Sequence, residues 1–156
     1  MSAQVALDGK FLFRLQVEVA KAHAFGTTPL GGRRLAVVDG GSFEGPGLRG
    51  TVEDGGADWI RIRTDGVRQL DVRLGLRTHD GCFIAMRYEG YRLASAETLA
   101  IERTGVELVS AEHWYRVCAF FEVGDERYDW LNRVVAVGLG TRTPPAGPVY
   151  DFFSVV

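Results

Sequence analysis

The run Leu70-Asp71-Val72-Arg73-Leu74-Gly75-Leu76-Arg77-Thr78 sets charge on a strongly apolar background. Strand alternation sends Leu70, Val72, Leu74, Leu76 and Thr78 to one face and Asp71, Arg73, Gly75 and Arg77 to the other. Asp71 and Arg73 are therefore same-face neighbours. On an outer surface they form an ion pair worth under about 1 kcal/mol, whereas inside a barrel they become an anchor for an oxygen-bearing ligand. The same two readings apply to Arg87, between Met86 and Tyr88, and to Glu122, directly after Phe120-Phe121. "ERYDWLNR" adds Tyr128, Trp130 and Asn132, which share a face if a strand begins at Tyr128. Aromatic walls with polar tips and an amide suit a planar, oxygenated ligand, although a satisfied core looks the same. A carboxylate such as Asp71, Asp80 or Glu122 in apolar surroundings gains a raised pKa and can act as a general base, and arginine and amide donors can hold an enolate.

Other chemistries lack their residues. "GPGLRG" at 45–50 spells G-x-G-x-x-G, but the dinucleotide fingerprint works only between a strand and a helix, and "TVEDGGADW" follows with no helical period. Those glycines read as a corner or bulge in a curved sheet. Gly40-Gly41-Ser42-Phe43-Glu44 fails the nucleophile elbow at its fifth position. Lys10 and Lys21 are the only lysines, both near the start, which leaves a Schiff base almost no seat. His79 and Cys82 have a spacing found in metal sites, with His113 and Cys118 elsewhere, yet a closed zinc site needs four placed ligands and Asp80-Gly81 between them reads as a turn. We expect neither metal nor organic cofactor. His23 is placed in a solvated loop after the first strand.

The elements that must hold these residues are strands. "KFLFRLQVEVA" puts Phe11, Phe13, Leu15, Val17 and Val19 at every second position, and "FGTTPLGG" is expected to end that strand. Further apolar runs at "RRLAVVDGGSF", "LRGTV", "DWIRIRT", "VRQLDVRLGLRT", "CFIAMRYEGY", "HWYRVCAFFEV", "WLNRVVAVGLG" and "VYDFFSVV" bring the total to about nine strands. Asp65-Gly66 and Asp80-Gly81 predict hairpins with mirror-image turns. "SAETLAIERTG", 95–105, has an N-cap serine and a terminal glycine and is the one predicted helix. Such an all-β, single-domain chain spanning residues 1–156 is a barrel or a sandwich, and an antiparallel barrel is the preferred expectation because closing the sheet removes exposed edges.

The 156 residues suffice to bury a core without staples, and no internal repeat or linker divides them. A net charge of −2 offers no attraction for nucleic acid or an anionic membrane. Of the 18 basic residues 16 are arginine, a composition bias that also suits carboxylate pairing. Two cysteines are too few for a disulfide framework and "MSAQVALDGK" lacks a signal-peptide layout, so a cytoplasmic protein is expected. The first strand and "VYDFFSVV" offer aromatics at both parities, more than one interior can bury, and predict a homo-oligomer.

The motifs "GGSFEGPGLRGTVEDGGADW", "DGVRQLDVRLGLRTHDG" and "YDWLNRVVAVGLG", with the closing "VYDFFSV", resemble the bacterial and fungal family called domain of unknown function 3237, or UPF0311. The resemblance implies a calycin-like, lipocalin-related β-barrel that commonly assembles as homo-oligomers, and it implies no reaction. Its motif positions here are Asp58, Trp59, Asp71, Arg73, Thr78, Asp80, Tyr128, Trp130 and Asn132. The functional expectation is a barrel that binds a small apolar or aromatic oxygenated molecule. If catalytic, it is a cofactor-independent acid–base isomerase, lyase, hydratase or cyclase acting on a polyketide-like substrate, with Asp71, Arg73, Asp80 and Glu122 as catalytic candidates. Asp58, Trp59, Thr78, Arg87, Tyr128, Trp130 and Asn132 are the ligand-binding candidates. The alternatives are a carrier or sensor of a small apolar ligand, and a structural oligomer subunit.

Overall fold

In a computed structural model the chain is described over residues 2–109 and 114–156, with the side chains of 108 and 109 left aside. His113, one of the metal-spacing residues, lies outside the described residues. Ten strands follow one another: β1 (Gly9–Thr28), β2 (Gly31–Glu44), β3 (Arg49–Val52), β4 (Gly56–Ile62), β5 (Arg68–Thr78), β6 (Phe83–Leu93), β7 (Leu108–Val109), β8 (Trp114–Val123), β9 (Ala136–Thr143) and β10 (Val149–Val155). Helix α1 (Ala96–Glu102) lies between β6 and β7, and a 3-10 segment (Glu126–Arg133) lies between β8 and β9.

The sheet closes on itself. Its order runs β1-β10-β9-β8-β6-β5; β5 pairs both β3 and β4, both of these pair β2, and β2 pairs β1. Because β3 and β4 share one position, these strands make a ring of eight positions, with β7 a short flank on β9. An eight-stranded ring is just wide enough to be filled by side chains or to hold one small ligand.

The alternation read from the sequence holds in β5: Leu70, Val72, Leu74, Leu76 and Thr78 are buried, and Asp71, Arg73 and Arg77 are exposed. Leu74, Leu76, Ile84, Met86, Phe13, Phe43, Phe121 and Phe152 fill one end of the barrel. The 3-10 segment closes that end with Leu131 and Tyr128.

Four expectations are corrected. The first strand does not stop at "FGTTPLGG": β1 continues to Thr28 as a long hairpin with β2, and His23 is an exposed strand residue opposite Leu35. Periodicity fails there because residues 20–27 are all exposed, so no buried face selects apolar side chains. "ERYDWLNR" is not a strand start. Asp125 caps the segment by accepting the Arg127 N–H at 2.9 Å, and the Asn132 amide accepts from Val123 N–H and donates to Val123 O in place of a partner strand. Tyr128 is therefore buried while Trp130 and Asn132 are exposed, so the three share no face. The hairpin turns are not mirror-image turns. Only the glycines take positive φ (Gly66 85°, Gly81 89°), and their N–H groups bond back to Arg63 O and Thr78 O, which is a type I turn closed by a left-handed glycine. Finally, the chain carries the 3-10 segment in addition to the one expected helix, which forms with Ser95 accepting the Thr98 N–H.

The G-x-G-x-x-G stretch is a sheet corner. A Cβ on Gly45 would lie 2.0 Å from Leu12 O and one on Gly50 1.9 Å from Arg77 O, so these glycines let β1 and β5 backbones approach.

Candidate active site in the barrel interior

The end of the barrel opposite the 3-10 segment is polar. Register fixes which residues face in: Asp58 pairs with Val72, Val72 with Tyr88, and Tyr88 with Ala119, all on the buried parity. The next inward row toward α1 holds Ile60, Leu70, Gly90 and Val117, and beyond it lie Arg68, Arg92 and Tyr115. From the other side Arg34 and Ala36 pair with Ile60 and Asp58. Whereas the inward positions at the closed end are buried, Arg34, Ala36, Asp58, Ile60 and Arg68 all keep partial solvent access. This end of the barrel is therefore the more solvent-accessible one.

Asp58 is held by the sheet itself. The β4–β5 ladder pairs Asp58 with Val72 and resumes at Arg61 with Gln69; within the gap the Asp71 N–H donates to Asp58 Oδ1 at 3.1 Å. Enclosure by the barrel wall pushes the Asp58 carboxyl up to about 7; the Asp71 N–H opposes that rise and the Asp71 charge adds a little to it. A carboxyl in that range is divided between acid and base near neutral pH, which is what proton transfer in both directions requires.

Three tyrosines complete the interior. Tyr150 OH donates to Tyr115 OH at 2.8 Å, and the Tyr150 ring lies edge-on to Tyr88 and Tyr115 with centroids 5.3 and 5.1 Å apart. Burial is the first cause that raises all three phenols, Tyr115 to about 12, and the Asp58 charge contributes to each. They are neutral hydroxyls at physiological pH. Arg92, buried, forms an ion pair with Glu102 of α1 at 2.8 Å and stands over the Tyr115 ring at 5.4 Å. Asp58 thus shares the inward face of the barrel with tyrosine hydroxyls and arginine guanidiniums, a set able to remove a proton, return it and hold an oxyanion meanwhile.

The residues selected from the sequence fall in five places, and of them Asp58 alone lies on the inward face at the open end. Trp59 and Asp71 line an outer groove of about 420 Å3 with Glu89 and Tyr91, and Trp59 stacks on Phe25 at 5.9 Å. Arg73, Arg87, Glu122 and Asn132 come together in a second outer groove of about 480 Å3, where Arg87 lies 4.5 Å over Phe120. Asp71 and Arg73 make no ion pair with each other. Thr78, Asp80 and Tyr128 form one cluster at the closed end: Asp80 accepts from Thr78 Oγ1 at 2.6 Å and from Tyr128 OH at 2.8 Å, and pairs with Arg127 at 3.1 Å. Those bonds, Thr78 first, hold Asp80 below the usual carboxylate range and tie the β5–β6 turn to the 3-10 segment. Trp130 lies in a separate outer groove with Phe11 and Leu48.

Sequence reasoning missed Tyr88, Tyr115, Tyr150, Arg34, Arg68, Arg92 and Glu102. A signal existed for two of them. Arg68 sits on the parity of Leu70 and Val72, and Arg92 on that of Ile84, Met86 and Tyr88, so each is a charge on a strand face that must be buried.

Comparison with known proteins places these features in a family. The UPF0311 protein RPA1785 of Rhodopseudomonas palustris is 27% identical over 136 residues, 87% of this chain and 89% of that protein. Its crystal structure superposes with a TM-score of 0.91 over 98% of this chain and all of that one. A β-barrel-like protein of Acinetobacter baumannii AYE is 31% identical, with a TM-score of 0.84 and full coverage of both chains. The hydroalkoxylation enzyme phnH of Penicillium herquei is 27% identical over 136 residues, 87% of this chain and 73% of that protein. Residues 8–155 match the family described as protein of unknown function (DUF3237), and the chain belongs to that family.

Proposed function

We propose that this barrel is an acid–base enzyme that adds a substrate hydroxyl across a carbon–carbon double bond conjugated to a carbonyl, within one oxygenated aromatic molecule. The observation that carries the reading is Asp58, a carboxyl turned inward among three tyrosines. The similarity to a hydroalkoxylation enzyme supports the reaction class. Asp58 as carboxylate takes the hydroxyl proton; the oxygen bonds to the far alkene carbon, and the π electrons pass to the carbonyl oxygen as an enolate. Tyrosine and arginine donors hold that enolate. Asp58 then returns the proton to the carbon beside the carbonyl. O–H and C=C become C–O and C–H, and Asp58 ends as it began.

A panel of hydroxylated aromatic enones in deuterated water tests this. Turnover yields a cyclic isomer of the substrate with one deuterium on carbon, read by mass spectrometry, and Asp58→Asn abolishes it while still binding the compound. Turnover that survives Asp58→Asn refutes the assignment. Binding without turnover by either protein favours the carrier reading, which needs the cavity and no poised carboxyl.

A further inference from the structure

The mouth of the barrel holds more positive charge than its carboxylates match. Arg68 and Arg92 are direct register partners on the inward face of β5 and β6, where like charges oppose one another. Glu102 takes one amino group of Arg92, but the Arg92 Nε–H is buried with no hydrogen-bond partner. Arg68, half enclosed, has no hydrogen bond or ion pair among the described residues; burial lowers its pKa first, then the Arg92 and Arg34 charges. Two guanidiniums kept side by side with unspent donors are a costly arrangement unless something anionic completes it.

We propose that Arg68 and the Nε–H of Arg92 bind a carboxylate carried by the aromatic substrate, leaving its reacting end toward Asp58. This rests on the acid–base reading of the same interior and adds the substrate's charge to it. Donors arriving from two neighbouring strands suit the two oxygens of a carboxylate.

Benzoate and benzyl alcohol, a charged and a neutral probe of one shape, are titrated into the protein while arginine Nε–H signals are followed by NMR. Benzoate is expected to shift the Arg68 and Arg92 signals and to bind at least about tenfold more tightly than benzyl alcohol. Arg68→Met removes a repelling charge without opening a void, so it is expected to fold, to lose about tenfold in benzoate affinity and to keep its affinity for benzyl alcohol. Equal affinities of the two probes, or a benzoate preference undiminished in Arg68→Met, overturn the proposal. Asp58→Asn is expected to retain the preference. Turnover surviving in Asp58→Asn would remove the catalytic reading and leave the arginine result standing, so the two fail separately.

Discussion

Asp58→Asn should stabilise the protein at alkaline pH and leave it unchanged in acid. Asparagine keeps the shape of the neutral acid and can still accept the Asp71 N–H, so the substitution removes only the ionisation. The native carboxyl titrates at about 7 against 3.8 when unfolded, a difference of about three pH units. Between those values the native state binds more protons than the unfolded chain, so stability falls as pH rises through that window. Below about 4 both states are protonated and Asp58 contributes nothing; above about 7 the full cost is present. At about 1.4 kcal/mol per unit the ceiling is ~4 kcal/mol, and the partial solvent access of Asp58 reduces it to roughly 2–4 kcal/mol. Urea denaturation of both proteins at pH 4 and pH 8 measures the variant-minus-parent difference, in which carboxylates such as Asp80 and Asp125 cancel. A difference near zero at pH 4 that grows to a gain of about 2–4 kcal/mol at pH 8 is the expected result. An equal difference at both pH values, or a carbon NMR titration of the Asp58 carboxyl with its midpoint near 4, refutes the enclosed-carboxyl argument.

Glu102→Gln leaves the Arg92 guanidinium buried without its counter-charge and should cost about 1–3 kcal/mol, discounted because Glu102 is partly exposed, as read by thermal unfolding at pH 7. Tyr150→Phe removes the hydroxyl paired with Tyr115 and should destabilise by roughly 1–2 kcal/mol while leaving the far-ultraviolet spectrum unchanged. Phe25, Trp59, Phe83, Trp114 and Phe120 remain exposed on the outer wall, so light scattering is expected to give a mass that is a multiple of 17.2 kDa; a monomer at micromolar concentration would contradict it.

The barrel was legible in the chain because two local codes agreed throughout most of it. Period-two alternation from Leu70 to Thr78 marked a strand with one buried face, and Asp65-Gly66 and Asp80-Gly81 marked where the chain reverses. Both codes act between residues close in sequence, so they survive without tertiary information. Where no face is buried, as in residues 20–27, or where an asparagine side chain substitutes for a partner strand, as at Asn132, the code is silent and the reading missed the strand's length and the 3-10 segment.

Which face is inside, and what meets there, belongs to the closed ring. Asp71 and Arg73 drew attention because they are charged beside apolar neighbours, yet alternation itself sends them outward once Leu70 and Val72 take the core. Asp58, Tyr88, Tyr115 and Tyr150 are separated by up to 92 residues and meet because β4, β6, β8 and β10 are staves of one barrel. Tyr88, Tyr115 and Tyr150 carry no local motif and read as ordinary aromatic strand residues. Sequence determined that Asp58 lies on a strand with a carboxyl to offer; only tertiary enclosure decided that the carboxyl would lose enough water to titrate near neutrality, because desolvation is a property of the surrounding wall and not of the residue.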